Sequence, residues 1–221
     1  MIDLAFSEAA FASLAPEYES RKKLAEQLVV EWKWASWKVH SLEPLYLERC
    51  GYAPGRILKK KPECTDNRVE YGFDQAGRIA VERQHRQFGF YETFQKHSDT
   101  IIESAHYDYG TGNKPINITF VTVEDDKAVR SVSSAVNGCC IEEYTWTNSL
   151  LTTVVQFTAE RVGNETPVLL RNYVAECEYD DSGRLQRIKR SFYDPDDQST
   201  IISVTTPFER VGKRIRRKLY G

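Results

Sequence analysis

The spacing of apolar positions changes once along this chain. Over residues 17–38, EYESRKKLAEQLVVEWKWASWK, Leu24, Leu28, Trp32 and Ala35 recur at three- and four-residue intervals behind Pro16, which predicts a helix across the segment. Val30, Trp34 and Trp37 widen its apolar surface, so the helix is expected to lie on one face of a sheet. From residue 39 onward the pattern turns to short alternating runs broken by turn residues, with room for about a dozen strands. Asn137-Gly138 signals a two-residue hairpin loop, and Asp125-Asp126-Lys127, Val162-Gly163-Asn164 and Asp194-Pro195-Asp196 mark further turns. No helical segment separates the strands, so neighbours should pair in sequence order. The expected fold is mainly β: an antiparallel meander of repeated hairpins, open or curved, with an N-terminal α-helix packed on it. Residues 1–38 form the helical segment and 39–221 the hairpin domain of one structural unit.

An internal repeat sharpens this picture. An aromatic-x-aromatic step recurs at Tyr71-Gly-Phe73, Tyr107-Asp-Tyr109 and Tyr144-Thr-Trp146, and as Cys177-Glu-Tyr179, at intervals of 36, 37 and 33 residues. Side chains two apart in a strand share a face, so each step is expected to put two large groups on one side of the sheet and build a continuous core there. A four-bladed propeller is the alternative fold suggested by a period near 36 residues. The first and last copies align as YGFDQAGRI and CEYDDSGRL, pairing Asp74 with Asp180, Gly77 with Gly183 and Arg78 with Arg184. An Asp entering a turn can accept from backbone amides ahead of it, and a Gly three residues later takes the left-handed conformation that closes the loop. The CGYAPGRIL segment reads as a shortened version.

These residues resemble the YD repeat of the Rhs family, with good copies at 71–79 and 177–185 and decayed ones between, where Gly110 and Thr147 stand in place of Asp. The resemblance implies extended β sheets of hairpins, which in long members wrap into shells around a toxin domain. Related repeats have been linked to carbohydrate binding. At 221 residues this chain is too short for a shell.

Composition agrees with a β fold: 12 Tyr, 10 Phe and 4 Trp against one Met suit pleated surfaces. The net charge of −2 hides a basic end, because ERVGKRIRRKLYG carries +5 and the remainder −7. Val211, Ile215 and Leu219 punctuate that end, which reads as an edge strand or short amphipathic helix; nucleic acid is not an expected partner. Five cysteines, an odd number without regular spacing, argue against a disulfide framework, and adjacent Cys139 and Cys140 should lie on opposite faces. With no signal-like N-terminus and no long apolar run, the expected location is the cytoplasm, without a membrane.

No nucleophile elbow, zinc motif, phosphate loop or dinucleotide loop is present, so no catalytic residue, metal or cofactor is expected. His40, His85, His97 and His106 have no ligand spacing, and His106 is expected half-exposed on a sheet face. Carboxylates cluster at Glu124-Asp125-Asp126 and Asp194–Asp197, where turns use them, and at Glu142, Glu143, Glu176 and Glu178, read as a solvated, partner-binding face. The expected function is a protein-binding module, an immunity protein that binds and neutralises a cognate toxin domain. The alternatives are a carbohydrate-binding or structural repeat protein and a glycan-active hydrolase using a carboxylate pair.

Overall fold

The computed structural model describes residues 2–111, 113–160, 168–211 and 214–217, of which 111, 160, 209–211 and 214–217 are described by backbone alone. The chain opens with helix α1, Leu4–Leu28, capped by Asp3, whose Oδ1 accepts from the Phe6 amide at 2.8 Å. This is earlier than the 17–38 expected. Pro16 lies inside the helix on its exposed side, where water can satisfy the carbonyl that a proline leaves unpaired. The packing stripe is Ser7, Leu14, Tyr18 and Ala25, whereas Leu24 and Leu28 are 63% and 55% exposed. Glu31–Ala35, expected to be helical, is strand β1. Val30, Trp32 and Trp34 also fit a two-residue period, and pairing with the next strand decides between the two.

After β1 comes the one-turn helix α2, Tyr46–Arg49. The strands that follow are β2 Val69–Phe73, β3 Ile79–Arg86, β4 Gly89–His97, β5 Ile101–Asp108, β6 Lys114–Glu124 and β7 Lys127–Ala135. The second half holds β8 Gly138–Thr147, β9 Leu150–Glu160, β10 Val168–Tyr179, β11 Leu185–Tyr193, β12 Thr200–Val211 and β13 Arg214–Arg217. All thirteen form one antiparallel sheet in sequence order. A single continuous meander replaces the propeller alternative. The basic end therefore pairs as edge strand β13 through its backbone. Val162-Gly163-Asn164 lies outside the described residues.

The sheet has two covered faces. On one, α1 packs against β3, β4, β6 and β7, and Leu14, Tyr18 and Ala25 meet the cross-strand row Val81, Phe94, Ala105 and Ile118. Glu92, fully buried there, accepts from the Tyr18 hydroxyl and Arg83 Nε, each at 2.6 Å. On the other face, Tyr71 heads the row Glu82, Thr93, His106 and Asn117. Strand pairing thus puts Tyr71 and Tyr107 on opposite faces: Tyr107 donates to the Leu14 carbonyl of α1, while Tyr71 accepts from the Val39 amide. Tyr144, Cys177 and Tyr179 return to the Tyr71 side. The aromatic steps do not build one continuous core, because facing follows the registers of the intervening hairpins: the row from Tyr71 reaches His106, which leaves Tyr107 on the opposite face.

The two Asp-Gly turns match each other closely. Asp74 Oδ1 accepts from the amides of Ala76 and Arg78 at 2.9 and 2.8 Å; Asp180 Oδ1 accepts from Ser182 and Arg184, both at 2.9 Å. Gly77 and Gly183 sit at φ 75° and 74°. Each Asp also accepts from the arginine four residues ahead, Arg78 Nε at 2.8 Å and Arg184 Nε at 2.6 Å, so the Gly-Arg pair is part of the turn. Within the turn expected at Asp125-Asp126-Lys127, Asp125 and Asp126, at φ 49° and 60°, form a two-residue loop, and Lys127 already pairs with Glu124. At the β7–β8 hairpin, Ala135 pairs with Gly138, so the loop residues are Val136 and Asn137, one position before the Asn137-Gly138 expected.

Candidate functional site

Residues 36–58, between β1 and β2, form a strap over the face opposite α1. Its stem closes on itself: Ser36 N donates to Arg56 O at 2.9 Å and Gly55 N to Lys38 O at 2.7 Å. A Cβ at Gly55 would stand 2.5 Å from the Trp37 carbonyl oxygen, so only glycine lets the stem strands approach this closely. The tip carries α2, introduced by Leu45 in the left-handed region at φ 51°. Arg49 of α2 points into the sheet, 2% exposed, and meets Glu142 on β8 in a bidentate pair, Nη1 to Oε1 at 2.8 Å and Nη2 to Oε2 at 2.7 Å.

Glu142 is fully engaged. Oε1 also accepts from Gln156 Nε2 at 2.9 Å and the Tyr173 hydroxyl at 3.1 Å, and Oε2 from the Tyr144 hydroxyl at 2.8 Å. Burial opposes its charge, but the Arg49 bonds and attraction outweigh that and hold its carboxyl below the ordinary range. Burial and then the Glu142 charge push up the phenols of Tyr144 and Tyr173.

Between strap and sheet lies a cleft of about 360 Å³. The strap contributes Lys38, His40, Ser41, Leu42, Glu43 and Tyr46 to its wall. The sheet contributes side chains from seven consecutive strands, from Glu82 on β3 to Gln156 on β9. On a flat sheet those strands would span about 29 Å at ~4.8 Å per step, too wide to border one cavity of this size, so the sheet curves around the strap. The cleft is polar between apolar flanks: Ala35, Val69 and Tyr71 lie on the β1–β2 side and Tyr144, Val154, Ala175, Cys177 and Ile188 on the other. Lys38 pairs with Glu82 at 3.0 Å. Burial, followed by the neighbouring Glu142 charge, raises the Glu43 carboxyl above its usual range. His106 Nδ1 lies 2.7 Å from Thr93 Oγ1, and burial, helped by Lys38, lowers its imidazole to about 4. Cys140 lines the cleft with its thiol pushed up to about 12 by burial and Glu142, while Cys139 meets α1 through Glu8, so the two cysteines do face opposite ways.

The nominated acids separate. Glu142 is 4% exposed and committed to Arg49, so it cannot meet a partner at the surface, a correction to its reading as a solvated residue. Glu143, Glu176 and Glu178 are exposed on the α1 side of the sheet, where Glu176 pairs with Lys189 at 3.3 Å and Glu178 with Arg187 at 2.5 Å. The charges of Glu176 and Glu178 are matched across strands, so that part of the face is not a strongly acidic one. Among the described residues, no three His, Cys, Asp or Glu side chains gather as a metal site. Sequence reasoning missed Arg49: it stands in LEPLYLERC, where no periodic partner marks it, and its counter-ion is 93 residues away.

A second feature lies at the ends of the strands. Turns at 74–78, 98–100, 125–126, 148–149 and 180–184 share one end of the sheet and carry Asp, Ser, Asn and Gly. The opposite end is mixed: Phe88 is 84% exposed and Val136 77%, and Val168 and Ile201, where β10 and β12 begin, are 66% and 63%, alongside Asn137 and the acidic turn at 194–198. Beside Phe88, Phe90 stacks on Tyr109 with centroids 4.5 Å apart, and the Arg86 guanidinium lies over Tyr91.

No helix among the described residues is long and apolar enough to cross a membrane. No family model matches the chain, and no curated protein matches it.

Proposed function

We propose that this chain is a protein-binding module of the immunity type, a cytoplasmic protein that binds and neutralises a toxin domain of the kind carried by YD-repeat proteins. The observation that supports binding is the apolar rim. Phe88, Val136, Val168 and Ile201 are large side chains exposed at one end of the sheet, interspersed there with polar loop residues, whereas the turns of the other end expose no large apolar side chain among the described residues. Exposed large apolar side chains are common at contact sites, and aromatic and Arg side chains, here Phe88, Tyr109 and Arg86 about the β3–β4 hairpin, tend to supply the strongest contacts. The acids nominated from sequence are not needed by this reading, since Glu142 is buried on Arg49 and Glu176 and Glu178 are paired within the sheet.

The test uses the full chain and the toxin domain encoded beside its gene. Mixing them should raise the melting temperature and abolish toxin activity, because a ligand that binds only the folded state must stabilise it. The double substitution Phe88→Ser with Val136→Asp should weaken binding by at least about tenfold, with the free protein's melting temperature unchanged. Toxin activity that continues unabated in the mixture refutes the proposal; binding indifferent to the double substitution removes the rim from it.

A further inference from the structure

The strap cleft differs in kind from the apolar rim, and its lining points to a ligand of its own. Most buried polar groups in this protein have protein partners, as Glu92 and Glu142 show. The cleft floor does not follow that rule. Ser104 and Thr119, 7% and 6% exposed, line the cleft and make no side-chain hydrogen bond among the described residues. Gln95, Asn117 and Ser133 line the same floor and are likewise without protein partners there. These five come from β4, β5, β6 and β7, and four of them form the cross-strand row Gln95, Ser104, Thr119, Ser133. Their polar atoms are not sealed inside the protein but open onto the cleft, so it falls to water or a ligand there to satisfy them.

We propose that the cleft binds a small, uncharged, polyhydroxylated molecule, a polyol or a saccharide of one or two rings. The floor offers no free cation to an anion, since Lys38 is answered by Glu82 and Arg49 by Glu142, and His106 is half-buried against Thr93. Glu43 on the strap wall has no ion-pair partner among the described residues, but burial raises its carboxyl and disfavours the charge that would draw a cation. An apolar ligand would strand the hydroxyl row. Hydroxyl groups both donate and accept, as do Ser and Thr, while Asn and Gln present one group of each sort, so a polyol can satisfy all five side chains whichever way each is turned. The volume, about 360 Å³, lies at the lower end of small-molecule sites and would otherwise hold about a dozen waters. The Tyr46 and His40 rings of the strap supply faces against which the C–H side of a sugar ring can rest. This site is independent of the rim and of the toxin-binding proposal.

The test is calorimetry and thermal melting of the full chain with glucose, N-acetylglucosamine, maltose, trehalose and myo-inositol, with inorganic phosphate and spermidine as ionic probes. At least one of the neutral probes should bind and raise the melting temperature, while phosphate and spermidine should not. Thr119→Val keeps the shape and removes the hydroxyl. It should weaken that binding about tenfold while leaving the unliganded melting temperature equal or higher, because no protein hydrogen bond is lost. Ser104→Ala should behave in the same way, and Thr153→Val on the α1 side of the sheet should leave binding intact. The proposal is overturned if none of the neutral probes binds, if an ionic probe binds in preference, if binding survives both floor substitutions, or if crystals soaked with the probe that binds hold only ordered water in the cleft.

Discussion

Replacing Arg49 with Met tests whether the strap is held mainly by one buried charge pair. Arg49 and Glu142 are 2% and 4% exposed and joined by two short hydrogen bonds. Met fills much of the same space but leaves Glu142 with only the neutral donors Tyr144, Tyr173 and Gln156. Removing one partner of such a pair costs about 3–5 kcal/mol, against a total stability of roughly 5–15 kcal/mol. For a chain of this size that corresponds to a melting temperature lower by about 6–20 °C. Urea unfolding followed by tryptophan fluorescence gives the loss directly. Adding Glu142→Gln should restore a substantial part of it, since no buried charge then lacks a partner. The loss should also depend on pH. In the wild type the folded carboxyl lies below its unfolded value of 4.5, so its stabilisation is present above 4.5 and disappears as pH falls through the folded value. Without Arg49 the buried carboxyl moves upward, and its contribution is instead lost as pH rises. The gap between wild type and variant must therefore widen from about pH 4 to about pH 7. A loss under about 1 kcal/mol, as for an exposed ion pair, or a gap independent of pH, would refute the reasoning.

Glu43→Gln should stabilise the protein at neutral pH by up to about 1 kcal/mol, because burial and Glu142 raise its carboxyl in the fold and the charged form is the disfavoured one; denaturant midpoints at acid and neutral pH should converge in the variant. His106, lowered to about 4 in the fold from 6.5, should make wild-type stability fall as pH drops through that interval, and His106→Asn should flatten that part of the profile. Gly77→Ala and Gly183→Ala should each cost about 1 kcal/mol by calorimetry, from backbone strain at φ 75° and 74°; a Cβ at Gly77 meets nothing within 4 Å, so Gly77→Asn, which tolerates the left-handed region, should recover part of the loss.

What was legible in the sequence was local. Alternation, turn residues and the absence of intervening helices are properties of neighbouring positions, and they yield the meander, Asp74 and Asp180 as turn acceptors, and the loop at Asp125 and Asp126. The helix boundary was misplaced because Val30, Trp32 and Trp34 satisfy both a helical and an alternating pattern until β2 supplies a partner. The facing of each aromatic step depends on the registers of the hairpins between copies, which the interval of 36 or 37 residues does not specify. The strap site was hidden for a different reason. Arg49 and Glu142 are 93 positions apart, and nothing near either one marks it as buried. Glu142 and Glu143 look alike as neighbours in sequence, yet alternation sends one inward to Arg49 and the other to solvent.

A meander in which each strand touches only the strands before and after it behaves like a row of linked units, able to fray from either end without disturbing the middle. The strap alters that arithmetic. It leaves the row next to β1 and fastens through Arg49 to Glu142 on β8 and to the Tyr173 hydroxyl on β10, so opening the β1 edge and loosening the β8–β10 region draw on the same fastening. Helix α1 adds a shorter link, since the Ile2 carbonyl accepts from Arg130 on β7 at 2.7 Å. Strands β1–β11 should therefore unfold as one cooperative block, since α2 also touches β11, while β12 and β13, beyond that contact, exchange their amide hydrogens sooner.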